Sequence, residues 1–303
     1  MKLLPKAGLA IVAAAVALTV SAQDLTGTLK KIKDSGTIVL GTRESSGALA
    51  YTLGDGKYVG FHTEMAEQIA KDIQRDLKMP KLDIKYQPVT SQNRIPLVQN
   101  GTVDLECGST TNNAARQKDV AFAMTTYVEE GRIVVRANSG ITGIAGLNGK
   151  TIATTTGTTS VQTLRKNKRA SGMDFKELFG KDHSDSFLLL ESGRADAFVM
   201  DGQIVAGLVS KSKNPAEWKI LPDVLSVEPI ACMMRKDDPA FKKAVDNSIQ
   251  AMIKSGALAK MYDKWFVQPI PPANTKVGLP LSDATKQAWA NPNDKPMEEY
   301  AMP

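Results

Sequence analysis

Arginine, serine and threonine recur in this chain where a carboxylate could be caught. Arg43 follows a short β-rich run, Ser91 and Arg94 lie in the segment TSQNR that opens a helical stretch, and Ser109, Thr110, Thr111 and Arg116 follow a β-run ending at Cys107. Farther on, Thr158 and Thr159 stand after Gly157 at the start of another helical stretch. Free backbone N–H groups and the helix dipole favour an anion at such a position. The planar guanidinium of arginine matches a carboxylate with two parallel hydrogen bonds. Each residue alone has an ordinary reading, a surface salt bridge for the arginines and an N-cap for the threonines. Their shared placement after strands sets them apart.

The elements that must position these groups follow from apolar spacing. Residues 25–33 read as a helix and 37–41 as a strand. Met65, Ile69 and Ile73 form an apolar ridge at i+4 spacing on a helix that begins after Gly60. Residues 82–86 alternate as a strand, 94–100 form a short helix ended by Gly101, and 103–106 form another strand. The rhythm restarts with a strand over 151–155, a helix through Leu164, a helix over 184–191 closed by Gly193, and a strand over 197–200 that ends on Asp201. A second α/β unit therefore lies within 132–226. A strand over 231–235 and helices over 238–255 and 257–266 follow, and the Pro-rich, polar tail from Gln268 is expected to wrap the surface. Strands alternating with helices predict an α/β fold with largely parallel sheets, and place functional groups on loops leaving the carboxyl ends of the strands.

Composition bounds the rest. With 303 residues, 42% hydrophobic and 23% charged, the chain has the make-up of a globular protein of two domains or one large one, and disordered, collagen-like and coiled-coil classes are excluded. Residues 1–22 combine Lys2 and Lys6, an apolar run over 9–20 and small residues up to Ala22, the pattern of a secretory signal peptide. No Cys follows the cleavage point, which argues against a lipoprotein. Cleavage would leave 281 residues and, by removing two lysines, lower the net charge from +6 to +4. In an oxidising compartment Cys107 and Cys232 either bond to each other or remain separate buried thiols, and export favours the bond.

Other chemistries find little support. Residues 143–151, GIAGLNGKT, fail as a phosphate-binding loop because the first Gly is one position early and the segment precedes a strand. SKSK at 210–213 satisfies a Ser-x-x-Lys pattern but reads as a solvated helix end. Only His62 and His183 occur, with no His/Cys/Asp cluster and no CxxC, so neither a metal nor another cofactor is called for. The positive charge is dispersed and not interleaved with aromatics, which argues against nucleic acid.

The residues are also recognisable as a set. RESS at 43–46, TSQNRIPLVQNGTVDLECGSTTNNAARQKDVAF at 90–122, then TTTGTTS, KDHSDSF, ESGRADAF, RKDDPAFKK and DKWFVQPIPP resemble the glutamate/aspartate-binding proteins of bacterial ABC amino-acid importers, within solute-binding protein family 3. The resemblance covers nearly all of the chain after residue 22. GFHTEM at 60–65 is similar to the family's signature helix, with His62 where an acid is usual, and Leu49 stands where an aromatic commonly packs on the ligand.

The resemblance implies a type II periplasmic-binding-protein clamshell of two α/β lobes. Lobe one would comprise 23–128 and 229–303, lobe two 129–228, with hinges near 125–132 and 226–231. Cys107 and Cys232 would then share a lobe on neighbouring strands, which supports their bond. By the same resemblance Arg116 grips the ligand α-carboxylate with Ser109 and Thr111, Asp201 pairs with the α-ammonium, Thr158 and Thr159 close over the carboxylate end, and Arg43, Ser91, Arg94 and His183 hold the side-chain carboxylate. Three arginines and a protonated His183 would thus face one Asp, affinity would weaken above neutral pH, and a neutral amide ligand would leave charge unpaired. The implied activity is capture of L-glutamate or L-aspartate by a periplasmic monomer, followed by delivery to a membrane permease, without catalysis. The rivals are an exported small-acid enzyme of the dehydratase kind, with Asp201 and His183 as acid and base, a binding protein for a different polar amino acid, and a sensory domain, disfavoured because no apolar run after residue 22 approaches membrane-spanning length.

Overall fold

The computed structural model describes residues 25–301, and the expected signal peptide, residues 1–22, lies outside them. The chain opens with α1 (Gly27–Ser35) and β1 (Thr37–Thr42), then a small antiparallel layer of β2 (Ser45–Ser46), β3 (Ala50–Gly54) and β4 (Lys57–Val59). It continues through α2 (Phe61–Asp76), β5 (Asp83–Pro88), α3 (Arg94–Gln99), β6 (Leu105–Glu106) and β7 (Val120–Phe122). The long strand β8 (Tyr127–Arg136) enters a second unit of β9 (Thr151–Thr155), α4 (Thr159–Ser171), β10 (Lys176–Gly180), α5 (His183–Glu191), β11 (Ala197–Asp201), α6 (Gly202–Lys211) and β12 (Trp218–Ile220). β13 (Ser226–Ile230) returns the chain to the first unit, completed by β14 (Met233–Arg235), α7 (Pro239–Lys254), α8 (Ala257–Tyr262) and α9 (Asp283–Ala290).

Each lobe is built on one sheet. The first has the order β5-β1-β6-β14-β7, with β1 parallel to β5 and β6 and β14 antiparallel to its neighbours β6 and β7. The second runs β10-β9-β11-β8-β12, parallel from β10 to β11 and antiparallel at β8, along which β13 also pairs. The expected parallel arrangement therefore holds for the βαβ halves. Strands that carry the chain between lobes run antiparallel, because they enter each sheet from the opposite direction.

Apolar patterning explains the packing. Met65, Ile69 and Ile73 of α2 are buried, as their spacing requires, in one cluster with Ile38 and Leu40 of β1 and Phe241 and Ile249 of α7. In the second lobe successive residues alternate across the sheet: Ile133, Val135, Ile152 and Val199 enter one core layer, and Val134, Ala153, Phe198 and Met200 the other. Cys107 and Cys232 are disulfide-bonded with Cα atoms 4.3 Å apart, just beyond β6 and just before β14. The bond closes a loop of 125 positions that contains the whole second lobe. Chain entropy alone gives such a closure about 4–5 kcal/mol.

The Pro-rich tail wraps the surface but carries a helix that spacing did not predict. Ser282 caps α9 by accepting from Thr285 N at 3.2 Å, a signal present in the sequence as SDAT. Trp289 Nε1 donates to Thr126 O (2.9 Å), Val128 N donates to Thr285 Oγ1 (3.0 Å) and Thr125 N donates to Asn293 O (2.8 Å), so the tail grips the crossing into β8. Among the described residues no helix is long and apolar enough to cross a membrane.

Candidate functional site

Six strand ends converge between the lobes. β1, β5 and β6 run out into the loops bearing Arg43, Ser91 with Arg94, and Ser109 with Thr111, while β9, β10 and β11 run out into Thr158 with Thr159, into His183, and onto Asp201. The lobes are shut on one another. Gly157 has φ +82°, and a Cβ there would come within 2.8 Å of Ser91 O, so only glycine permits this approach. All the predicted site residues are buried except Arg116, which is half-buried, and Arg43 and Arg94 are only 0% and 2% exposed. A guanidinium at that depth must be paired or await an anion.

Arg43 is paired. Its Nη1 donates to Ser109 Oγ (3.2 Å), and its Nη2 donates to Ser91 Oγ (3.1 Å) and to Asp182 Oδ1 across the cleft (2.7 Å). Nη2 also faces His183 Nε2 at 3.1 Å, while His183 Nδ1 lies 3.0 Å from Thr155 Oγ1. A guanidinium can only donate, so an Nε2–H would oppose it; Nε2 meets Nη2 as an acceptor that shares one of the two protons directed at Ser91 and Asp182, and the ring proton sits on Nδ1, facing Thr155. This arrangement of the protein's own groups does not favour the expected protonated His183. Burial, with repulsion from Arg43 and Arg94, pushes its pKa down to about 3, outweighing the attraction of Asp182. Asp182 also accepts from Ser45 Oγ (2.8 Å). Burial opposes its ionisation, but Arg43 and Ser45 hold its carboxyl below the ordinary range.

Arg94 is different. Among the described residues its Nε and Nη1 find no hydrogen-bond partner, as is also true of Arg43 Nε. Desolvation, then repulsion from Arg116 and Arg43, pushes its guanidinium well below the ordinary value, only partly offset by Glu106 and Asp201. Arg116 spans the cleft by donating to Thr111 O (2.8 Å) and Gly157 O (3.3 Å). Asp201 caps α6 without a side-chain cap bond, and its carboxyl is pushed up to about 7 by burial and by Glu228, against the pull of Arg94, Arg116 and Arg43. Thr158 turns its hydroxyl back onto Thr155 O (2.7 Å), whereas Thr159 reaches across to within 3.4 Å of Thr111 Oγ1.

Three carboxylates beside this constellation were not foreseen. Asp182 pairs with Arg43, Glu106 at the end of β6 accepts from Thr110 Oγ1 (2.6 Å), and Glu228 on β13 accepts from Thr111 and Thr159. The tally of three arginines and a charged histidine against one acid therefore does not hold. What the cleft offers an anion is a set of unpartnered donors, chiefly on Arg94. The runs KDHSDSF and SVEPI held Asp182 and Glu228 in plain view, but nothing local indicates that they fold onto Arg43 and Thr111.

The two departures from the family pattern lie in lobe one. His62 is buried and neutral, desolvation having lowered its pKa to about 4, and its ring contacts Gly108 O (2.6 Å) and Thr126 Oγ1 (2.8 Å). Leu49 is part of the lobe-one core. A separate cavity of about 640 Å³ is lined by Tyr127, Glu129, Gln203 and Tyr262 among others, and by none of the predicted site residues.

Comparison with known proteins places this geometry. Residues 38–268 match the model of the bacterial extracellular solute-binding proteins, family 3. The chain is 44% identical over 292 residues to an L-glutamate/L-aspartate-binding protein of Pseudomonas aeruginosa, covering 96% of each. It is 45% identical over 268 residues to a glutamate/aspartate import solute-binding protein of Escherichia coli, covering 88% of this chain and 89% of that one. These relatives are binding proteins, not enzymes. In structure the chain is similar to an ancestral amino acid-binding protein that is a precursor of cyclohexadienyl dehydratase, with a TM-score of 0.69 and 27% identity, covering 79% of this chain and 99% of that one. The two sheets, the strand ends meeting between them and a sequence match spanning most of its length make this chain a member of family 3 of the bacterial extracellular solute-binding proteins.

Proposed function

We propose that this protein captures acidic L-amino acids, glutamate or aspartate, in the cleft and delivers them to the permease of an ABC importer. The observation that carries the reading is Arg94: a buried guanidinium with two unpartnered nitrogens, in electrostatic reach of Arg43, Arg116 and Asp201. A ligand with two carboxylates and one ammonium supplies what each of these groups lacks. Arg94, with Ser91 and the Nε of Arg43, takes the side-chain carboxylate. Arg116, Ser109 and the backbone N–H groups at the start of α4, Thr158 and Thr159, take the α-carboxylate, and Asp201 takes the ammonium. His183 serves by accepting from Arg43 and fixing its orientation.

Closure follows from a ligand that touches both lobes, because it binds the shut form better than the open one. We assign the hinge to 125–132 and 226–231. A few charge-assisted hydrogen bonds at about 1.5–3 kcal/mol each, less the ordering cost, reach the ~8 kcal/mol of a micromolar complex. The relatives' names support transport, and residues 1–22 support export to the periplasm, where we take the protein to act as a monomer that engages no nucleic acid. An enzymatic role finds no free base in His183, since both ring nitrogens are engaged.

Calorimetric titration of the ligand-stripped protein with L-glutamate, L-aspartate, L-glutamine and L-arginine tests the reading. Micromolar or tighter binding confined to the two acids is expected. Preference for a neutral or basic ligand would refute it.

A further inference from the structure

Glu228 lies on β13, in the crossing between lobes, and its two oxygens do different things. Oε1 accepts from Ser226 Oγ at 2.6 Å. Oε2 accepts from Thr111 Oγ1 of lobe one at 2.5 Å and from Thr159 Oγ1 of lobe two at 2.7 Å. The carboxylate is 1% exposed, and the two threonine oxygens stand 3.4 Å apart. A hydroxyl has a single proton. With both protons committed to Glu228, neither threonine can donate to the other or to a ligand, and each presents only lone pairs to the cleft.

From this geometry we infer that Glu228 is a positioning residue that makes the cleft select an α-ammonium over an α-hydroxyl or α-keto group, an inference that rests on the function proposed above. The Asp201 carboxylate, at the end of β11 in the same cleft, adds a third acceptor to the two threonine oxygens. An ammonium has a proton for each. A hydroxyl supplies one and a ketone none, leaving buried acceptors unpaired. The same geometry excludes a carboxylate from this spot, since it would meet only lone pairs. The Thr111 and Thr159 hydroxyls therefore face the amino end of the ligand, and the α-carboxylate is left to Arg116 and the backbone N–H groups at the start of α4. Because the two hydroxyls come from different lobes, the selective arrangement exists only when the cleft is shut.

The test compares L-glutamate, L-2-hydroxyglutarate and 2-oxoglutarate by calorimetry on the wild type, Glu228→Met and Glu228→Gln. Methionine keeps the length and removes the acceptor, which frees both hydroxyls to donate. Glutamine can turn its amide oxygen to the two threonines and its NH₂ to Ser226, whose hydroxyl can rotate to accept. Glu228→Met is expected to cut the preference for the amino acid by about tenfold or more, while Glu228→Gln holds it within about threefold. An unchanged preference in Glu228→Met, or an equal loss in Glu228→Gln, overturns the inference. Should Glu228→Met fail to fold, Thr159→Val removes one acceptor and leaves Glu228 in place, and an unchanged preference there is equally fatal. A wild type that binds no acidic amino acid refutes the proposed function itself, a result distinct from all of these.

Discussion

The surroundings of Arg43 and of Arg94 present the same side chain at the same depth in opposite states. Arg43 spends its two terminal nitrogens on Ser91, Ser109, Asp182 and His183, and the Asp182 contact joins the lobes. Arg94 keeps Nε and Nη1 unpartnered. Burial of a paired charge costs little net stability, whereas burial of an unpaired donor costs about 1–3 kcal/mol, more when it is charged. On the proposed function the first region acts as a latch and the second as the trap, and the cost of keeping Arg94 unpaired is recovered when a carboxylate arrives. Anion affinity in this cleft comes from the pairing of each guanidinium, not from the count of charges around it.

Arg94 carries the largest expected effect. Arg94→Ala should weaken L-glutamate binding by about 2–3 kcal/mol, roughly 30- to 150-fold by calorimetry. The same variant without ligand should melt no lower than the wild type, since an uncompensated buried charge has been removed. Equal affinity, or a large fall in melting temperature, would mean that Arg94 is structural.

Asp201→Asn comes next. Losing the negative partner of the ammonium should cost about 2 kcal/mol at pH 8, with the threonine oxygens retained. Asp201 must be ionised to hold the ammonium, and in the free protein its pKa is about 7. Bound ligand thus favours the deprotonated form, so wild-type affinity should be level above neutral pH and fall as pH drops through 7, approaching tenfold per unit. Asp201→Asn should flatten that profile. His183, at about 3, contributes nothing to it between pH 5 and 8. A profile that instead weakens with rising pH would restore a charged His183.

The smallest effect sharpens the latch side. Asp182→Asn removes the charge that ties Arg43 across the cleft while also freeing Arg43 to pull on the ligand. These changes oppose each other, so affinity should move by no more than about threefold. Small-angle scattering should nonetheless show a larger radius of gyration for the ligand-free variant, since the interlobe bridge is weakened. An unchanged radius would show that Arg43 and Asp182 do not bias closure.

Much of this was legible in the sequence because α/β architecture fixes where chemistry sits. Once strands were placed by apolar alternation, Arg43, Arg94, Ser109 and Asp201 followed as residues at their carboxyl ends. The unforeseen part depends on contacts between distant segments. Asp182 lies 139 positions from Arg43, and Glu228 lies 117 from Thr111, with no periodicity linking them. The ionisation of His183 could not be read either, because it depends on which way Arg43 points. α9 escaped notice because flanking prolines hid a short helix whose burial is supplied by the crossing it grips, through Trp289 and Thr285.

On the proposed function, unpartnered donors on Arg94 select the ligand's second carboxylate. Parallel titration of L-glutamate and L-glutamine into wild type and Arg94→Ala tests it. The wild type should prefer glutamate by about a hundredfold or more, and this preference should collapse to less than about tenfold in the variant. A variant that binds more weakly yet keeps the full preference would contradict it, and would move the source of selectivity to Arg43.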